Sequence, residues 1–401
     1  MINKTLSFIA LFFFSLSSLA EEGVNYLRFY DELKNNSSII KVKQYEVEAE
    51  YEKSKQTKLY FLPQVDVSYT AKQEVSDYKN ESKISANSTL YSSDLPDKFE
   101  QAENQLLMSK LALHQEEEKL YRLLIENVIS IKLYTELLHE AQSLKKQSIK
   151  IYEQISTNYA LGLAKASDQN QGKLLIDRLQ TDIESIEREI ELFRSNIEQY
   201  TGVTYPESGV YIDNNTMKKI EEFIPDNERI NNNTDLKILR KKAIVARSEI
   251  SQQSPFMNIN IVSEYKQTDN KKEDDSYIGL QAQFNVFNYN NISNKLAKEK
   301  LYLAAQEEAD NKYKELISKL RTTTFTRRSN IEEMKSLQQQ IETTENILDN
   351  QMTEYDISQS SYYEMLNTRY DLFSTKRKLI DKRVNIYLNS IEMLQISGEL
   401  I

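Results

Sequence analysis

Two hydrophobic periods divide this chain. Period two appears in short runs. Across residues 64–71, Val65, Val67, Tyr69 and Ala71 alternate with Gln64, Asp66, Ser68 and Thr70. Ile278, Leu280, Ala282, Phe284 and Val286 alternate with Gly279, Gln281, Gln283 and Asn285. Met257, Ile259 and Ile261 continue the theme, and Ile84, Ala86, Ser88 and Leu90 carry it weakly. Successive side chains of a strand point to opposite faces, so each run predicts a strand with one apolar face. Dyads of about 9–11 residues suit a transmembrane β-strand, apolar toward lipid and polar toward a lumen; one dyad alone would favour a half-buried soluble hairpin, and four at matching places favour the barrel. Residues 72–82 and 266–276, between the paired runs, are polar throughout and read as water-exposed loops at the far side of a membrane.

Period seven fills most of the rest. From Phe99 a step of seven gives Leu106, Leu113, Leu120, Asn127, Tyr134, Ala141, Ser148 and Ile155. A second series runs Leu124, Ile131, Leu138, Lys145, Tyr152, Tyr159. Leu320, Met334, Ile341, Leu348 and Tyr355 keep a later seam, interrupted by Arg327. Such a/d spacing predicts long coiled-coil helices, and about 60 residues at ~1.5 Å per residue make a rod of ~90 Å. Helices over about 24–60 and 234–254 run into Pro63 and Pro255, because proline disfavours helix in the residue before it. The first long helix breaks at Gly162, a helix stop, with Ser167 or Asp168 as the next N-cap.

These elements recur. Residues 159–202 reappear at 355–398, displaced by 196 without a gap: Tyr159 faces Tyr355, Gly162 faces Ser358, Asp168 faces Glu364 and Gly202 faces Gly398. The predicted organisation is a leader over 1–20, then a first repeat over 21–203 with strands about 63–91 and a helical hairpin over 97–203. A linker over 204–233, holding Pro206, Pro225 and an asparagine cluster, leads to a second repeat over 234–401, with strands about 255–287 and a hairpin over 289–398.

Composition agrees: 7 Gly and 5 Pro in 401 residues, with 28% charged, describe long helices with few interruptions. The leader has Lys4, an apolar core over 6–19 and the small-x-small site ending at Ala20, the pattern of a secretory signal peptide too short to span a bilayer. Without it, 50 basic residues stand against 61 acidic ones, a net charge of −11 that disfavours nucleic acid as a partner. The chain has no Cys, so no disulfide, thiolate or lipidated N-terminal cysteine. No other stretch approaches 18 apolar residues, so entry into a membrane would be by strands. His114 and His139 lie 25 residues apart on one helix and read as ordinary helix residues, not metal ligands. With no nucleophile pair and no glycine-rich phosphate loop, neither an enzyme nor a cofactor site is expected.

The doubled order helix, proline, strand, strand, long helix, tip, helix is joined by a tip pattern, aromatic-x-x-Gly-Leu-x-x-x-Ser/Thr-Asp, at Tyr159, Gly162, Leu163, Ser167 and Asp168. Residues 284–288 and 394–398 add later landmarks. Over essentially the whole mature chain, this resembles the TolC-like outer-membrane efflux proteins. The resemblance implies a mainly α fold with a small β-barrel part: a homotrimer whose 12-stranded outer-membrane barrel continues into a periplasmic α-helical barrel. Association also follows physically, since four strands cannot close a barrel and small natural ones use about eight. The resemblance further implies the outer membrane of a Gram-negative bacterium, with a large periplasmic extension. The implied role is a passive exit duct of a tripartite efflux or type I secretion system, working with a periplasmic adaptor (membrane fusion protein) and an inner-membrane pump.

By motif position, Asp168 matches the carboxylate of a polar link between hairpins, Tyr355 its aromatic partner, and Glu364 an acidic constriction residue. Gly162, Leu163 and Ser358 match the hairpin tips that meet the adaptor. Two departures stand out: Ser360 replaces a family arginine, and Asn367 a second acidic residue. Three copies of Glu364 around an axis would still repel one another by about 1–3 kcal/mol per pair at ~6 Å and attract cations. A periplasmic coiled-coil adaptor or scaffold is the alternative, but adaptors normally carry one hairpin beside β-domains.

Overall fold

The computed structural model describes residues 23–74, 77–252, 255–268, 275–356 and 362–401. The expected leader, Ser358 and Ser360 lie outside the described residues. In chain order the elements are β1 (Val24–Asn25), α1 (Tyr26–Asn36), α2 (Ser38–Lys58), β2 (Gln64–Glu74), β3 (Asp77–Ser92), α3 (Leu95–Ala160) and α4 (Ala166–Thr201). Then follow β4 (Val210–Tyr211), α5 (Asn214–Glu221), α6 (Thr234–Gln252), β5 (Met257–Thr268), β6 (Asp275–Phe284), α7 (Tyr289–Asp356) and α8 (Tyr362–Ile396). The protein is mostly helical, and no described helix is apolar enough to cross a membrane. At 66 and 68 residues, α3 and α7 are each ~100 Å long.

The seam read from the sequence is the core of α3. Leu120, Leu124, Ala141 and Ile155 are buried there against Leu179, Ile183, Ile186 and Ile190 of α4. Two of its polar positions, Asn127 and Ser148, are satisfied within their own helix. Asn127 Nδ2 donates to the Leu123 carbonyl at 2.7 Å, and Ser148 Oγ donates to the Leu144 carbonyl at 2.9 Å. Each buried polar group is thereby spared the cost of an unmade hydrogen bond.

Arg327, the interruption in the later seam, has a different use. Its guanidinium donates to the carbonyls of Phe223, at 2.7 Å, and Glu221, at the C-terminal end of α5. A cation belongs there, where unpaired carbonyls carry the negative end of the helix dipole. The linker is thus anchored to α7. It is also tied to the N-terminal segment, because β4 pairs in parallel with β1.

Three expectations are corrected. The helix expected over 24–60 is two helices, α1 and α2. Ser37 leaves the helical region at φ −63°, ψ 119°, gives its N–H to Leu33 and accepts the Ile40 N–H on Oγ at 3.4 Å. Ser37 therefore ends one helix and caps the next within a polar Asn-Asn-Ser-Ser run. The loop expected over 72–82 is mostly strand, because β2 continues to Glu74 and β3 starts at Asp77, with Lys72 opposite Lys79. Ladder hydrogen bonds are made by the backbone and need no apolar face, so the strand continues where alternation stops. Third, α4 starts at Ala166 with Lys165 in the N-cap place and no side-chain cap bond, so neither Ser167 nor Asp168 is the N-cap.

The element order helix, strand, strand, long helix, shorter helix occurs twice. The second unit closes at Gly398, which has φ +65° and whose added Cβ would overlap the Asn232 carbonyl. Gly162 has φ +76° but open space around its Cβ position. Gly162→Ala is therefore expected to cost about 1–2 kcal/mol for the left-handed backbone alone, and Gly398→Ala clearly more. Thermal unfolding followed by circular dichroism reads both; equal losses would contradict this account.

Candidate functional site

The α3–α4 tip is built by its glycine. The Gly162 N–H bonds the Tyr159 carbonyl at 2.9 Å and the Leu163 N–H bonds the Asn158 carbonyl at 2.8 Å, a Schellman closure that needs a left-handed residue at Gly162. The turn leaves Leu161 and Leu163 outermost, 67% and 76% exposed. Five residues on, Asp168 is the third residue of α4, where a carboxylate meets the positive end of the helix dipole. The Ser167 hydroxyl donates to it at 3.2 Å. Glu364 takes the same third place in α8 and is exposed. Tyr355 is the penultimate residue of α7, and its side chain lies outside the description, as does all of Ser358.

A short way up from the tips, a polar strap binds α8 to the other long helices. Arg377 reaches Asp182 Oδ1 at 3.0 Å and Glu189 Oε1 at 3.2 Å, both on α4. The Tyr370 hydroxyl donates to the other Asp182 oxygen at 3.1 Å, and burial, then the Asp182 charge, pushes its pKa up. Lys376 sits between Glu140 of α3, at 3.2 Å, and Glu345 of α7, at 3.6 Å. Arg369 donates to Gln147 Oε1 of α3 at 2.6 Å beside a cavity of about 380 Å³ floored by Leu144, Leu348 and Phe373. Sequence reasoning missed this strap. The seven-residue steps from Tyr370 to Arg377 and from Asp182 to Glu189 match two helix faces and were the available signal.

Strand register decides what the sheet presents. The order is β2-β3-β5-β6, antiparallel throughout. Val67 lies opposite Ile84, Ile84 opposite Tyr265, and Ile261 opposite Leu280. The four apolar runs therefore fall on one face, which is exposed: Ile278 is 78% and Leu280 73% accessible. A bulge between Thr89 and Tyr91 makes Tyr91, not Leu90, the partner of Ile259. The opposite face carries Asp66, Ser68, Asn87, Asn260 and Gln281, with ion pairs Lys83–Glu264 at 2.8 Å and Lys266–Glu81 at 3.2 Å. Among the described residues, no strand pairs with the outer edge of β2 or β6.

No sequence-family model matches this chain, and no curated protein is recovered as a relative by sequence. Solved structures do match it. CusC, studied for its folding and transmembrane channel formation, superimposes with a TM-score of 0.80 over 94% of this chain and 93% of its own, at 14% identity. The outer membrane protein VceC of Vibrio cholerae gives 0.76 over 93% and 96%, at 12% identity. The open state of the Neisseria gonorrhoeae outer membrane channel MtrE gives 0.74 over 96% and 94%, at 12% identity. The fold is that of the TolC-like outer-membrane channels. At these identities the likeness concerns fold, and the TolC-like plan explains why a small open sheet and two long hairpins share one chain.

The histidines lie away from the tips. His139 is exposed, and His114 Nε2 lies 3.4 Å from Glu118, whose side chain is buried and accepts the Thr234 hydroxyl at 3.0 Å. Burial is the main cause that raises the Glu118 carboxyl above its ordinary range. A carboxyl raised in the folded state favours folding below its unfolded value of about 4.3, and that contribution is lost as pH rises through the folded value. Glu118→Gln should keep the Thr234 contact and flatten the fall of stability with rising pH above ~4.3, read as the difference between two denaturation series. Identical pH slopes would contradict this. For the strap, Arg377→Met is expected to cost about 1.5–3 kcal/mol and Tyr370→Phe about 0.5–1.5. Because both bind Asp182, the double variant should depart from the sum in urea unfolding; strict additivity would show that the two contacts are independent.

Proposed function

We propose that this chain is the outer-membrane channel, or exit duct, of a tripartite efflux or type I secretion system. The observation that carries the reading is the register-matched sheet. Its apolar runs converge on one exposed face, its polar runs on the other, and among the described residues both outer edges lack partners. A sheet of this kind suits one third of a barrel, lipid outside and water inside, with three chains supplying twelve strands. The helical hairpins of the three copies then continue the tube into the periplasm, their two repeats approximating sixfold symmetry. A leader over residues 1–20 carries the chain out of the cytoplasm.

The duct is passive: an inner-membrane pump supplies the energy and a periplasmic adaptor meets the tips at Gly162, Leu163 and Ser358. Asp168 and Tyr355 belong to the links that hold the tips together, and Glu364 lines the constriction. Purified protein in detergent should be a trimer and give cation-selective channels in planar bilayers. A soluble monomer without conductance would overturn the reading. Glu364→Gln is expected to weaken block by divalent cations, and unchanged block would remove Glu364 from the constriction.

A further inference from the structure

Arg327, Arg369 and Arg377 are all half-buried, and they differ in what answers their charge. Arg327 holds two backbone carbonyls, and Arg377 holds two carboxylates. Arg369 meets only the neutral amide oxygen of Gln147, and its Nε is buried with no acceptor among the described residues. Burial lowers its pKa, and no carboxylate offsets that shift. A desolvated charge ordinarily has a counter-ion. For a guanidinium the best one is a carboxylate or phosphate, which accepts two parallel N–H bonds.

Arg369 stands at the cavity of about 380 Å³ between α3, α7 and α8, whose floor is apolar at Leu144, Leu348 and Phe373. Two carboxylates also line it. Glu140 is taken by Lys376 at 3.2 Å, while Asp349 has no cation of its own among the described residues. Size and shape narrow the occupant. A cavity of ~150 Å³ takes benzene, so this one has room for about 15 non-hydrogen atoms. A partner helix cannot run along it. Lys376 bridges Glu140 of α3 and Glu345 of α7, at 3.2 and 3.6 Å, so these two carboxylates lie closer together than the ~10–12 Å width of a helix.

We propose that this cavity binds a small amphiphilic organic anion, a medium-chain carboxylate, with its head on Arg369 and its chain over Leu144, Leu348 and Phe373. The site lies within one chain, goes beyond the duct reading and does not depend on it. The carboxylate supplies the anion that Arg369 lacks, and the chain covers apolar floor that water otherwise wets. Asp349 opposes the ligand, because its charge repels a second anion in the same cavity. A bound molecule touches α3, α7 and α8 at once, and so ties together the helices that the polar strap joins.

The probe is decanoate carrying a photoreactive diazirine at the end of its chain, added to the full-length protein purified in a non-ionic detergent. After irradiation, the label is located by mass mapping of peptides. The proposal expects saturable labelling of the peptides that hold Leu144, Leu348 or Phe373, competed by unlabelled decanoate and not by decylamine. Arg369→Gln should weaken binding about 10–100-fold, the loss of a charge-assisted pair, and Asp349→Asn should strengthen it. Unsaturable label spread over other peptides, or equal labelling of wild type and Arg369→Gln, overturns the site. Equal competition by decylamine also overturns it, by showing an apolar groove with no preference for anions. Should Arg369→Gln lose its helical circular dichroism, Arg369→Lys takes its place; it keeps the charge, removes the paired donors and should still weaken labelling. None of these results bears on whether the purified protein is trimeric and conducts, so the duct reading stands or falls separately.

Discussion

A four-stranded sheet with one exposed apolar face leaves a row of backbone N–H and C=O groups at each outer edge, here along β2 and β6. Water can satisfy such edges and hydrocarbon cannot, each unpaired group costing several kcal/mol there. The apolar face calls for lipid while the edges forbid it, and association of copies edge to edge resolves the conflict. The rest of the proposed architecture follows from that constraint. Closing the sheet around an axis sets the diameter of the tube, and the helices that leave each strand pair must continue it.

The helices show the same dependence on neighbours. α3 is buried along its seam by α4, α1 and α2, whereas α7 leaves Leu301, Leu303 and Phe325 exposed in the single chain. Near the tips α8 is held by buried Leu366 and Phe373 in the core it shares with α3 and α4, and by polar contacts: Arg377 and Tyr370 on Asp182, and Lys376 between two carboxylates. Charge pairs of partial exposure contribute modestly one at a time, and a strap of several can hold a hairpin while still permitting it to part.

Much of this was legible in the sequence, because it depends on local periodicity. The period-two runs became strands with one apolar face, and much of the heptad series became the buried seam of α3. What escaped depends on partners chosen elsewhere in the fold. The bulge that hands a place from Leu90 to Tyr91 is a register effect, invisible in one strand alone. Ser37 reads as helix surface until its hydroxyl is seen to cap α2. Arg327 read as a flaw in a seam because the carbonyls it holds come from residues about a hundred positions away. At the tips the motif positioned Asp168 and Glu364 equivalently, but the strap residues carried no motif.

The central claim is closure of β2 of one copy onto β6 of the next. The chain has no native Cys, so paired cysteines report it directly. One cysteine is placed at Val67 on β2 and a second at successive positions from 277 to 283 on β6, followed by oxidation in native membranes and denaturing electrophoresis. The account predicts that a narrow window of β6 positions gives covalent dimers and trimers, with the ladder ending at three. Monomers at every position, or a ladder running past three copies, would contradict it.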